Sequence, residues 1–63
     1  MRDFNSFSEE LVYGFIEIAS EVDSQGLVKV ETIEDGTGDQ VDTYLNRKNA
    51  TKIINHLNKV FNL

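Results

Sequence analysis

The chain lacks several residue types that small proteins use to stabilise themselves. It has 63 residues and contains no cysteine, proline or tryptophan. Without cysteine there is neither a disulfide nor a thiolate metal site, and the single histidine, His56, cannot form a histidine metal cluster. A chain of this size buries only about 60% of the surface that its unfolded form exposes. We therefore expect one domain over residues 1–63, frayed at residues 1–5, that completes its core by oligomerising or by binding a partner.

Long apolar segments are also missing. No run approaches the roughly 20 apolar residues that span a bilayer, and no basic-then-apolar signal segment opens the sequence. The net charge of −5 disfavours direct binding to nucleic acid and favours solubility. These features predict a cytoplasmic protein that has no membrane partner.

Acidic residues are absent from the last third of the chain. All eleven carboxylates lie before residue 43. Residues 1–46 also hold two cations and so carry a net charge of −9 (eleven minus two), whereas residues 47–63 hold four cations and no acid. An acidic body joined to a basic terminal segment suits binding to another macromolecule or to a second copy of the chain.

The first half of the sequence shows a helical pattern over residues 8–23. At about 100° per residue, the apolar residues gather on one half of the wheel: Phe7, Leu11, Val12, Phe15, Ile16, Ile18, Ala19 and Val22. Ser8 is placed to cap this helix, and the two glutamates after it suit the positive end of the helix dipole. The segment from Val12 to Ile18 is also rich in β-forming residues, so a strand there is the alternative.

The second half of the sequence predicts a hairpin and a helix. Leu27 to Glu34 and Val41 to Leu45 alternate between apolar and polar residues, as strands do, and the glycine-containing segment 35–39 predicts the turn between them. Asn46 is placed to cap a helix from Arg47 to about Phe61. The predicted fold is therefore α+β, a helix–β-hairpin–helix (αββα) in which two amphipathic helices cover one face of a two-stranded antiparallel sheet.

Alternation along the two predicted strands divides their side chains between two faces. Four aliphatic side chains are expected to face the helices: Val28, Val30, Val41 and Leu45. Leu27, Ile33 and Tyr44 are then expected to point away from them. A small sheet does not usually leave three large apolar side chains in water, so these three residues predict a dimer or partner surface. The alternative is that strand twist brings one or two of them into the main core.

A second predicted surface follows one side of the first predicted helix. It consists of Glu10, Tyr13, Glu17 and Glu21. Carboxylates spaced along a surface can imitate phosphates and occupy a basic channel that otherwise binds nucleic acid. The alternative is an ordinary solvated helix face.

The sequence offers little for catalysis. His56 has neither a cysteine nor a serine near it in sequence, so no nucleophile–base pair is indicated. Neighbouring carboxylates such as Glu9 and Glu10 would need burial to act as an acid and a base, and a chain this short has little interior volume. We expect no enzymatic activity, no cofactor and no bound metal.

The segment from Tyr44 to Leu57 ends a predicted strand and opens a predicted helix at once. It resembles the endings of many small phage and prophage accessory proteins. The size, the acidity and the absence of cysteine are also similar to phage-encoded inhibitors of host defence systems, including anti-CRISPR-type proteins. That resemblance implies stoichiometric binding to a host protein in the host cytoplasm, and it assigns no functional residue.

The leading functional prediction is a non-enzymatic inhibitor or modulator of a host defence or nucleic-acid-handling protein, formed as a homodimer. Its contacts would come from the acidic stripe and from the three apolar residues of the open sheet face. One alternative is a small dimeric DNA-binding regulator that uses the basic C-terminal helix. Another is a structural or assembly component. A pull-down, a gel shift and co-purification, respectively, discriminate between these three functions.

Overall fold

A computed structural model describes residues 6–63 as four strands followed by one helix. The elements are β1 (Phe7–Glu10), β2 (Gly14–Ile18), β3 (Val28–Glu34), β4 (Gln40–Leu45) and α1 (Arg47–Phe61). The strands form one antiparallel sheet in the order β1-β2-β3-β4, so each strand pairs with its neighbour in sequence. The predicted fraying of residues 1–5 lies outside the described residues.

The predicted αββα fold is wrong, because residues 8–23 do not form a helix. Residues 7–10 and 14–18 are strands joined by a tight turn, in which the Leu11 amide donates to the Gly14 carbonyl at 2.7 Å. Residues 6–63 therefore contain one helix and four strands. The strand alternative for Val12 to Ile18 is the better description, although the strand begins at Gly14.

Two properties of this segment favour the strand. Phe15, Ile16 and Ile18 are aromatic or β-branched and fit a pleated surface. Glycine inside a helix costs about 1 kcal/mol relative to alanine. In the sheet, by contrast, a Cβ on Gly14 would overlap the main-chain carbonyl of Ile33 on the neighbouring strand. The absence of a side chain at residue 14 therefore lets β2 lie close to β3.

The predicted hairpin is confirmed. The strands β3 and β4 pair from Val28 opposite Leu45 to Ile33 opposite Gln40. Gly36 and Gly38 in the turn have φ of 88° and 74°, values that side chains other than glycine rarely adopt. The Glu34 amide donates to the Asp39 carbonyl at 3.0 Å and closes the loop.

The predicted C-terminal helix is also confirmed, with the bounds Arg47–Phe61 and the N-cap Asn46. The Asn46 side chain accepts from the Asn49 amide at 2.8 Å, and the Asn49 side chain accepts from the Asn46 amide at 3.4 Å. This reciprocal pair satisfies two main-chain donors that would otherwise lack partners. Asn62 ends the helix in the left-handed conformation, with φ of 59°.

Within residues 6–63 almost no side chain is fully enclosed. Val30, on the central strand β3, is the buried hydrophobic residue, with 8% of its surface exposed. The apolar side of α1 remains open, since Ile54 is 57% exposed, Val60 59% and Phe61 68%. No helix in this part of the chain has both the length and the apolar character needed to cross a membrane.

Candidate interaction surfaces

The strand register gives the sheet two chemically distinct faces, because directly paired residues point to the same side. We call the first the apolar face. Its apolar side chains are Phe7, Ile16, Ile18, Val28, Val30, Val41 and Leu45. We call the second the acidic face. Its charged side chains are Glu10, Glu17, Lys29, Glu31 and Asp42.

The centre of the acidic face is a row of carboxylates on adjacent strands. Glu17 of β2 lies directly opposite Glu31 of β3, which in turn lies opposite Asp42 of β4. Like charges in directly opposed positions destabilise a sheet by up to about 1 kcal/mol per pair. The arrangement therefore has an electrostatic cost that the rest of the sheet offsets.

Lys29 reduces this repulsion. Its Nζ lies 2.9 Å from Glu31 Oε1 and 3.7 Å from Asp42 Oδ2. The hydrogen bond to Glu31 and the charge of that carboxylate raise the pKa of Lys29 above 10.5, and the charge of Asp42 adds to the effect. Among the described residues of this face one lysine faces four carboxylates, so together these five side chains carry a net charge of −3.

Uncharged side chains flank the carboxylate row on both sides. Phe15 of β2 pairs with Ile33 of β3 at one end of the sheet, and Tyr44 of β4 pairs with Lys29 at the other end. Ile33 is half-buried and Tyr44 is 52% exposed. The face thus combines apolar contact area with negative charge.

The residues of the predicted acidic stripe do not lie along a helix. Glu10 and Glu17 share the acidic face of the sheet, but Tyr13 lies in the β1–β2 turn and Glu21 in the β2–β3 connection. The helical stripe is therefore wrong, because a strand period separates residues that a helix period would bring together. The exposed side chain of Tyr13 (81%) and that of Glu21 stand apart from the sheet face.

The three residues of the predicted apolar surface, Leu27, Ile33 and Tyr44, do not form a single patch. As expected, Ile33 and Tyr44 lie on the acidic face, on the other side of the sheet from Val28 and Val41. Leu27 instead precedes β3 and is half-buried. Sequence reasoning missed Phe15 as a member of this face. The alternation of Phe15 and Glu17 on one side with Ile16 and Ile18 on the other was the signal that could have found it.

An open cleft separates α1 from the apolar face. It has a volume of about 700 Å³. Its apolar walls are Ile18, Val22, Val28 and Leu45 on the sheet side and Ala50, Ile53 and Ile54 on the helix side. The helix contacts the sheet only at β4, the strand from which it emerges. The apolar side of α1 and the apolar face of the sheet therefore line the same cleft without packing against each other.

The opposite side of α1 is basic. At 100° per residue, Lys48, Lys52 and Lys59 lie away from the apolar side chains of the helix. Of the four cations in this segment only Arg47 lines the cleft. Within the described residues, no group of three or more acidic, histidine or cysteine side chains is arranged to hold a metal ion.

No protein-family model, curated protein or solved structure matches this chain. The phage-type resemblance of the sequence therefore stays a prediction.

Proposed function

We propose that the protein acts by stoichiometric, non-catalytic binding to another protein, and that it presents its acidic face to a basic surface of that partner. In keeping with the phage-type resemblance, the partner would be a host protein that handles nucleic acid or takes part in defence. The carboxylates would then occupy the place of phosphates.

The observation that carries this proposal is the near absence of an interior. Among residues 6–63, Val30 is the buried hydrophobic residue, and no charged or polar side chain is buried. Catalytic acids and bases depend on enclosed sites that shift their pKa values, whereas binding to a macromolecule needs accessible surface. Both faces of this sheet supply such surface.

Electrostatics favour a basic partner for the acidic face. Each of the four strands contributes one carboxylate to this face: Glu10, Glu17, Glu31 and Asp42. Lys29 forms ion pairs with the last two. Complementary charge accelerates association and selects against other acidic surfaces. The aromatic ring of Tyr44 and the side chain of Ile33 add contact area beside the charges.

Charge reversal on the acidic face tests this function. A pull-down from a bacterial lysate, followed by mass spectrometry, supplies the partner. Glu10→Lys combined with Glu17→Lys is then expected to weaken its affinity at least tenfold, because two attractive charges become repulsive. Titration calorimetry measures the affinity, and thermal unfolding verifies that the variant folds.

The matched control is Glu9→Lys combined with Glu34→Lys, which makes the same change in net charge on the apolar face. It is expected to lose much less affinity. If both double variants bind as tightly as the unchanged protein, the carboxylates of the acidic face do not contact the partner. If the captured ligand is DNA, and replacing Lys48, Lys52 and Lys59 abolishes its binding, the DNA-binding alternative replaces this proposal.

A further inference from the structure

We propose that a second copy of this chain covers the apolar face that the cleft leaves open, with its own α1 lying against that face beside the α1 of the first copy. A two-fold axis relates the two copies, so the α1 of each copy packs on the apolar face of the other. Each apolar sheet face is thereby covered by helix, and the acidic faces stay outside. This inference concerns a different surface from the proposed function and does not depend on it.

The first argument is that α1 is held away from its own sheet. A single residue, Asn46, joins the last residue of β4 to the first of α1. Leu45 before this joint is fixed by its pairing with Val28, and Asn46 is fixed by its two bonds with Asn49. Swinging the helix down onto the sheet would disturb the end of the strand pairing or the helix cap, and losing such a cap costs about 1 kcal/mol.

The second argument is the amount of surface left open. The chain exposes 5512 Å², whereas a compact monomer of 7.2 kDa exposes about 4,100 Å². The excess of about 1,400 Å² exceeds the ~800 Å² that each partner contributes to a standard interface. Two copies that each covered this excess would form an interface of the size found in obligate homodimers.

The lysines restrict how the second helix can lie. Lys48, Lys52 and Lys59 lie opposite the apolar side of α1, and burying unpaired ammonium groups is costly. The apolar side of each helix therefore contacts the sheet, and the lysines face water. Both helices then form one layer on the apolar faces, so the dimer has a basic helical surface and an acidic sheet surface.

The absence of cysteine permits a direct test by crosslinking. Val28→Cys places a thiol on the sheet wall of the cleft, and Ile54→Cys places one on the helix wall. When the two single variants are mixed and oxidised, we expect a mixed disulfide of twice 7.2 kDa. The control replaces Ile54→Cys with Lys52→Cys, on the outer side of the helix, and is expected to give at least tenfold less of this product.

The double variant Val28→Cys/Ile54→Cys distinguishes the second copy from the chain's own helix. An intramolecular disulfide in a monomeric product would show that α1 closes on its own sheet, and it would overturn the proposal. Equal crosslinking by the Lys52→Cys control would overturn it as well.

A measurement without cysteine serves as the second arm. Sedimentation of the unchanged protein at micromolar concentration is expected to show a dimer, and Ile54→Gln/Leu57→Gln is expected to raise its Kd at least a hundredfold. Lys52→Gln/Lys59→Gln is the control and should leave the Kd within about threefold. A monomer at 100 μM would refute the dimer, even if the acidic face still bound its partner.

Discussion

The sheet and the helix of this protein satisfy their main chains in different ways. Each strand of the sheet depends on residues elsewhere in the chain for its hydrogen bonds, and the central strand β3 contains the buried residue Val30. The helix makes its own hydrogen bonds and caps both ends, yet none of its residues is buried. A helix of this length is marginal in water without packing. The sheet is therefore the better packed part of the single chain, and the proposed contact with a second copy would stabilise the helix.

Of the substitutions considered, Gly14→Val should lower the free energy of unfolding the most, because it acts on the sheet. A side chain at residue 14 would overlap the Ile33 carbonyl, which belongs to the main chain and cannot rotate away. We expect a loss of about 1–3 kcal/mol in the free energy of unfolding, as for overpacked cores. Urea denaturation followed by circular dichroism measures it.

The control for this substitution is Val12→Ala in the adjacent turn, where the side chain is 84% exposed. We expect a change within about 0.5 kcal/mol there. If Gly14→Val is as stable as this control, close approach between β2 and β3 is not required, and the sheet is looser than its register indicates.

Asn46→Ala should have the next largest effect, and it acts on the helix. It removes the acceptor for the Asn49 amide and the bond that the two asparagines exchange. A lost N-cap costs about 0.5–2 kcal/mol. Because the helix is barely packed, we expect faster amide hydrogen exchange in its first turn, while exchange in β3 changes little.

Asn55→Ala on the exposed side of the helix is the matched control, since alanine favours helix there by a few tenths of a kcal/mol. Uniform loss of protection across the sheet and the helix of Asn46→Ala would show that the two regions unfold as one unit. That result would show that the helix does not unfold independently of the sheet.

Lys29→Gln should have the smallest effect, confined to the acidic face. The pKa of Lys29 is raised by Glu31 and then by Asp42, so its contribution to stability is fully present below the unfolded value and is lost as the pH rises through the folded value. We expect the Tm of the unchanged protein to approach that of the variant above about pH 10.5. Because the ammonium is solvent-exposed, the difference at neutral pH is small.

Calorimetric scans between pH 7 and 12 measure this convergence, and Lys52→Gln provides a variant with the same loss of charge on the helix. A Tm difference between the unchanged protein and Lys29→Gln that stayed constant across that range would exclude the ion pair as its source.

The candidate surfaces could be predicted only in part. The alternation of residues 28–34 and 41–45 correctly separated Val28 and Val41 from Ile33 and Tyr44. Glu10 and Glu17 were predicted to lie on one side of a helix, and the structure places them on one face of the sheet instead. The carboxylate row of Glu17, Glu31 and Asp42 could not be found in this way, because it depends on the register between three strands.

The sequence by itself determined the hairpin of β3 and β4 and the helix after it. Their signals are local: two glycines in the turn, strict alternation on either side, and an asparagine before an amphipathic run. Residues 7–18 were decided only by tertiary structure, since their apolar residues suit both the helical and the strand periods. For residues 14–18 the hydrogen bonds that select the strand come from β3, more than ten residues further along the chain, and residues 7–10 pair in turn with residues 15–18. No local pattern contains the pairing with β3.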